Sequence, residues 1–164
     1  MDYLSIINKY YPADDELRRV LLHHSRQVAD RSLQIVRQHH ELPADIHFLE
    51  EAAMLHDIGI YQCDAPSIHC HGSEPYLRHG LIGGNLLRQE GYERHARVAE
   101  RHTGTGLPGY EPETLEEQIV CYADKFYSKS KPDRVLTVAQ AAESLEKFGH
   151  NGVLKFLSWA ERFE

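Results

Sequence analysis

The chain has 164 residues, 41% of them hydrophobic and 26% charged, which suits one globular domain with a real core and argues against disorder. Its longest unbroken apolar stretch, Ile119-Val120-Cys121-Tyr122-Ala123, is far short of the ~18 to 20 residues of a membrane span. The N-terminal Met1-Asp2-Tyr3-Leu4-Ser5 has no basic leader before an apolar core, so a cytoplasmic protein without a membrane partner is expected. A net charge of −7, from 18 basic and 25 acidic residues, sets the chain against polymeric nucleic acid, whose phosphates call for a broad positive surface.

Apolar residues recur at helical rather than alternating spacing almost throughout, which predicts an all-α fold, one helical bundle over residues 1–164. The first helix covers residues 14–40, with Leu17, Leu21, Val28 and Ile35 on one face. A second opens at the N-cap Asp45 and ends at the turn His56-Asp57-Ile58-Gly59, where Gly59 is expected to be left-handed. A third spans residues 76–89, closed by Gly91, and a fourth spans 93–102, stopped at Gly104. A fifth covers residues 114–128 and stops before Pro132. Helices over 133–148 and 151–163 complete the chain. Trp159 and Phe163 on the last of these are expected to pack on the core, a homodimer contact being the alternative.

Twelve histidines are unusual in a chain this size, and imidazole is a common metal ligand. Residues three, four and seven apart share a helix face. By that rule His24 lines up with Leu17, Leu21 and Val28, and His56 with Leu49, Ala52 and Ala53. His79 lines up with Ile82, Gly83 and Leu86, His102 with Val98 and Ala99, and Asp124 with Val120, Cys121 and Tyr127. Five helices each aim one metal-competent side chain inward. A single inward histidine is explained by a hydrogen bond to a backbone carbonyl. Four of them with Asp57 and Asp124 are not, because a carboxylate on an apolar face must be paired or bound to a cation. A divalent metal satisfies all six together.

The order His24, His56-Asp57, Asp124 resembles the HD superfamily of metal-dependent phosphohydrolases, over about residues 20–130, and His56-Asp57-Ile58-Gly59 matches its HDIG variant. Intervals of 22, 23 and 22 residues separate Asp57, His79, His102 and Asp124. In the family, histidines at the two middle places mark members that hold two metals. The stretch from Arg78-His79-Gly80 through Arg101-His102-Thr103-Gly104 to Ala123-Asp124 is similar to the YqeK-like hydrolases, which cut dinucleoside polyphosphates symmetrically. The chain departs from these patterns at Ile60, where many HDIG proteins carry lysine, and after Asp124.

The resemblance implies that His24, His56, Asp57 and Asp124 hold one divalent metal and Asp57, His79 and His102 the other, with Asp57 shared. Asp57, His79 and His102 would form the catalytic centre, where a metal-bridging hydroxide attacks a small phosphoester or phosphoanhydride, a nucleotide or dinucleoside polyphosphate. The nitrogen and oxygen donors suit iron or manganese, with cobalt or nickel as alternatives. Arg78, Lys125 and Thr103 are the expected phosphate contacts. Arg101, Lys129, Lys131 and Arg134 are basic but read as surface. A rival activity is that of the family's mixed-valent di-iron oxygenases, which use the same six ligands. A non-catalytic sensor would be expected to have lost ligands, and all six are here.

Two other signals are set aside. The run from Gly104 to Gly109 spells G-x-G-x-x-G but follows a helix rather than a strand, so it reads as a loop, with Thr105 near the site. Cys63, His69, Cys70 and His71 lack the spacing of a zinc site and read as a lid. All three cysteines are expected to be reduced thiols.

Overall fold

Side-chain caps set where most of the helices begin. In this computed structural model, which describes residues 1–103 and 108–164, α1 (Tyr3–Tyr10) opens behind Asp2 and α2 (Glu16–Gln38) behind Asp15. The Asp15 carboxylate accepts from the Arg18 amide at 2.9 Å, satisfying one of the first-turn N–H groups that have no partner inside the helix. Asp45 does the same for α3 (Ile46–Leu55) through the Phe48 amide. The capping pairs Thr114/Glu117 and Thr137/Gln140 open α6 (Leu115–Asp124) and α7 (Val138–Leu145). Between them lie α4 (His79–Gln89) and α5 (Glu93–Arg101), and α8 (His150–Phe163) follows Gly149. Gly91, at φ 90°, closes α4.

The all-α expectation holds, with local departures in the expected elements. Helix α1 was not expected; its Ile6 and Ile7 are buried with Tyr11. Residues 76–78 make a single 3-10 turn, and α4 begins only at His79. The fifth expected helix ends at Asp124 rather than at 128. There the amides of Phe126 and Tyr127 switch to the carbonyls of Ala123 and Asp124, and Leu136 pairs with Phe126 as the chain doubles back. Residues 133–137 are accordingly not helical, Val135 bridging Tyr127. Two antiparallel strands, β1 (Asp64–Ala65) and β2 (Cys70–His71), form the segment read as a lid, and they bury Cys63 and Cys70. The expected stop at Gly104 lies outside the described residues.

Two apolar clusters result. One joins α2, α3, α6, α7 and α8 around Phe48, Leu49, Tyr122, Phe126, Phe156 and Trp159. The other joins α1, the turn after Asp57, α4 and α5 around Ile7, Leu21, Leu55, Ile58 and Leu87. Trp159 and Phe163 are buried as expected. His24 stands on α2 between Leu21, in one cluster, and Val28, in the other, and so at the seam between them.

The turn after Asp57 is tied down from both sides. It is a 3-10 segment, Ile58–Gln62, with Gly59 at negative φ, so the expected left-handed glycine is corrected. Glycine is needed there for close approach: a Cβ at Gly59 would stand 2.5 Å from Gly83 N and would also overlap His79 O. On the opposite side the buried Tyr11 hydroxyl donates to Ile58 O at 2.7 Å and accepts from the Tyr61 amide at 3.2 Å. Tyr11→Phe leaves both backbone groups without that partner and is expected to cost about 1–3 kcal/mol in a urea melt. An unchanged midpoint would show that the hydroxyl does not hold the turn.

Candidate metal centre

Helix ends bring the cluster together. His56 follows the last residue of α3, His79 is the first residue of α4, His102 follows the last residue of α5, and Asp124 ends α6. The carbonyls of Ala53 and Ala99, in the last turns of α3 and α5, lack helical partners and receive an imidazole instead, while Tyr76 O accepts from the His79 amide as well. Nδ1–H of His56 donates to Ala53 O at 2.5 Å, that of His79 to Tyr76 O at 2.5 Å and that of His102 to Ala99 O at 2.6 Å. Each bond commits Nδ1–H to a carbonyl and turns Nε2 toward the interior. Tyr76 also stacks on the His79 ring at 4.3 Å.

All six expected ligands converge. Asp57 lies at the centre, fully buried, and its two oxygens face different sets. Oδ2 is 3.2 Å from His24 Nε2 and 3.1 Å from His56 Nε2, and these reach Asp124 Oδ1 at 2.8 and 3.4 Å. Oδ1 is 3.2 Å from both His79 Nε2 and His102 Nε2, which are 3.0 Å from each other. The donors form two groups, His24/His56/Asp57/Asp124 and Asp57/His79/His102. Separations near 3 Å are the edges expected when bonds of ~2.1 Å meet at right angles around one ion.

The protons do not add up without a cation. His79 Nε2, His102 Nε2 and Asp57 Oδ1 are three lone-pair atoms in mutual contact, since both Nδ1–H groups are already committed. Among the described residues neither Asp57 oxygen nor His56 Nε2 has an aligned hydrogen bond, the Lys129 contact to Oδ2 being an ion pair. Burial pushes the His102 pKa down to about 4, so a second proton there is disfavoured. Burial alone would also lower His56, but the facing carboxylates of Asp57 and Asp124 push it up to about 10. Burial would raise the Asp57 carboxyl, yet His56 and Lys129 hold it well below the usual carboxylate range. The cluster gathers imidazole nitrogens around the carboxylates of Asp57 and Asp124, and divalent ions fit it.

The expected phosphate contacts are placed less uniformly. Lys125 Nζ donates to His102 O at 2.8 Å and Cys121 O at 3.1 Å and stands 3.5 Å from Asp124. Lys125 and the half-buried Thr103 line a cavity of about 390 Å³ onto which His79, His102 and Asp124 open. Arg78 is largely exposed, lies 3.9 Å from Glu74, and lines neither cavity that reaches Asp124. Arg101 is engaged elsewhere, donating to Glu111 O and Glu113 at 2.7 Å. Lys129, read as surface, has Nζ 2.8 Å from Asp57 Oδ2. Extending the helix to residue 128 hid this; the turn signal in Ser128-Lys129-Ser130-Lys131-Pro132 points to it. Thr105 lies outside the described residues.

Residues 21–128 match the HD domain family. The chain is similar to the tRNA (cytidine(56)-2'-O)-methyltransferase of Thermoplasma volcanium, 28% identical over 89% of the chain and 40% of that protein. The protein of the same name from Picrophilus torridus is 27% identical over 90% of the chain and 45% of its own length. An uncharacterized protein of Methanocaldococcus jannaschii is 34% identical over 53% of each. The chain therefore spans less than half the length of the two methyltransferases, and no solved structure matches it. Since the family match encloses all six clustered side chains from His24 to Asp124, the chain belongs to the HD domain family.

Proposed function

We propose that the chain is a metal-dependent phosphohydrolase that cleaves a small phosphoester or phosphoanhydride, with a nucleotide or dinucleoside polyphosphate as substrate. The division of Asp57 between two donor sets carries this reading, because a buried carboxylate facing two lone-pair clusters is the arrangement a pair of cations needs. His24, His56 and Asp124 would hold one and His79 and His102 the other, with Asp57 common to both. Bound together, two divalent ions, iron or manganese by donor type, supply Lewis-acid polarisation of a phosphoryl group and a lowered pKa for water.

The chain's own groups do the rest. The carbonyls of Ala53, Tyr76 and Ala99 hold three imidazoles in one orientation, so no reorganisation accompanies substrate binding. Lys125 places positive charge at the mouth of the cavity, whose volume falls in the range of small-ligand sites. The activity in the two archaeal relatives' name is not proposed here: the chain spans under half of those proteins, and its −7 charge opposes binding a tRNA backbone.

Metal analysis of protein purified without chelator, then phosphate release from a panel of nucleotides and dinucleotides, tests the reading. About two transition metals per chain are expected, and His79→Ala or His102→Ala should remove one of them. Saturation at one ion, or unchanged stoichiometry in both variants, rejects the two-cation site. A mixed-valent di-iron signal without phosphate release would put oxygenase chemistry in its place.

A further inference from the structure

We propose that Lys129 is an internal counter-cation that pairs with Asp57 while the cluster lacks divalent ions and contacts the substrate's phosphate once they are bound. This rests on the metal-dependent reading above. The Lys129 side chain is 10% exposed, and its Nζ meets the fully buried Oδ2 of Asp57 at 2.8 Å. That oxygen is the one His24 and His56 also face, so the ammonium contacts the very atom assigned to the first donor set. An ammonium and a dication on one buried carboxylate oxygen repel each other. Pairing with Lys129 and binding a cation at Oδ2 are therefore competing states of Asp57.

The fold gives the displaced ammonium somewhere to go. Lys129 lines three cavities: one beside His24 and Val20, one beside Tyr76 and Asp124, and one beside His79, His102 and Lys125. A four-carbon stem lets Nζ swing from Asp57 into the third without moving the backbone, and the Tyr76 ring, 5.5 Å from Nζ, offers a cation–π face nearby. Lys125 lacks this freedom, since two backbone carbonyls hold it. Charge points the same way. Lys125 and Lys129 already stand against Asp124 and Asp57, and two dications would add positive charge that an anionic phosphate matches.

The test compares wild type with Lys129→Met, which keeps the stem, and Lys129→Arg, which keeps the charge. Three readouts are needed: melting temperature with and without Mn²⁺, Mn²⁺ affinity by competition with a chelating dye, and inorganic phosphate affinity of the Mn²⁺-loaded protein. Lys129→Met is expected to melt lower mainly in the metal-free form, to bind Mn²⁺ about tenfold tighter, and to bind phosphate about tenfold more weakly. Lys129→Arg should stay near wild type on all three. Equal destabilisation of both forms with unchanged Mn²⁺ affinity would overturn the proposal and leave Lys129 a packing residue. A Lys129→Met chain that folds only with Mn²⁺ supports it, and one that folds in neither form passes the same three readouts to Lys129→Gln. Wild type that takes up no Mn²⁺, iron or cobalt would instead overturn the metal reading itself, and this proposal with it.

Discussion

Gly59→Ala is expected to cost about 3 kcal/mol or more and to strip the protein of one metal in the same step. The added methyl would collide with backbone, at His79 O and Gly83 N, rather than with a side chain that can rotate away. Relief requires α4 to back off from the turn after Asp57, and α4 carries His79. The loss would not stay local, because α4 is itself close-packed on α5. A Cβ at Gly80 would lie 2.8 Å from Ala99 O, and one at Gly84 would lie 2.9 Å from Glu100 Oε2. Interiors packed at crystal density transmit such shifts, so His102, hydrogen-bonded through Ala99 O, would move as well. A denaturant midpoint and a metal-to-protein ratio on the same sample check this. A wild-type midpoint with full metal content would show that the turn has slack the packing does not reveal.

Much of this site is legible in the residue order because each ligand sits at a helical position with its own apolar partners. His24 with Leu21 and Val28, or Asp124 with Val120 and Cys121, declares an inward face before any coordinates are known. The N-cap Asp45 and the closing Gly91 are likewise local signals, decided within one turn of helix. What stays hidden depends on contacts distant in the chain. Gly59 reads as a turn glycine, whereas its role is set by α4, twenty residues on. Phe126 and Tyr127 continue the helical spacing, but pairing with Val135 and Leu136 ends the helix early and swings Lys129 back over Asp57. Arg78 adjoins a ligand in sequence, yet it lies near Glu74 and lines neither cavity that reaches Asp124. Adjacency along a chain is a poor guide to position in the site.

Asp57→Asn is expected to lower turnover by ~10³-fold or more while leaving a folded protein. The substitution keeps shape and removes one negative charge from a fully buried centre. An amide has one oxygen, so it can face the His24/His56/Asp124 set or the His79/His102 set, and its nitrogen has no lone pair to give the other. Its N–H₂ can donate to a bare Nε2 of His79 or His102, and its oxygen can still face the Lys129 ammonium. Those bonds suit the metal-free state, which explains why the fold should survive. They do not suit two cations, whose mutual repulsion then lacks the shared carboxylate between them. The sharpest readout is therefore the difference between forms. Wild type should gain about 2.7 kcal/mol per bound ion at a metal concentration a hundredfold above Kd, and most of that gain should vanish in the variant, with its metal-free melting temperature changed far less. Circular dichroism, metal content and phosphate release belong on one preparation, so that misfolding and lost chemistry are separated. A well-folded Asp57→Asn that keeps both ions and most of its hydrolysis would remove Asp57 from the role of shared ligand, and with it the two-cation mechanism proposed for this chain.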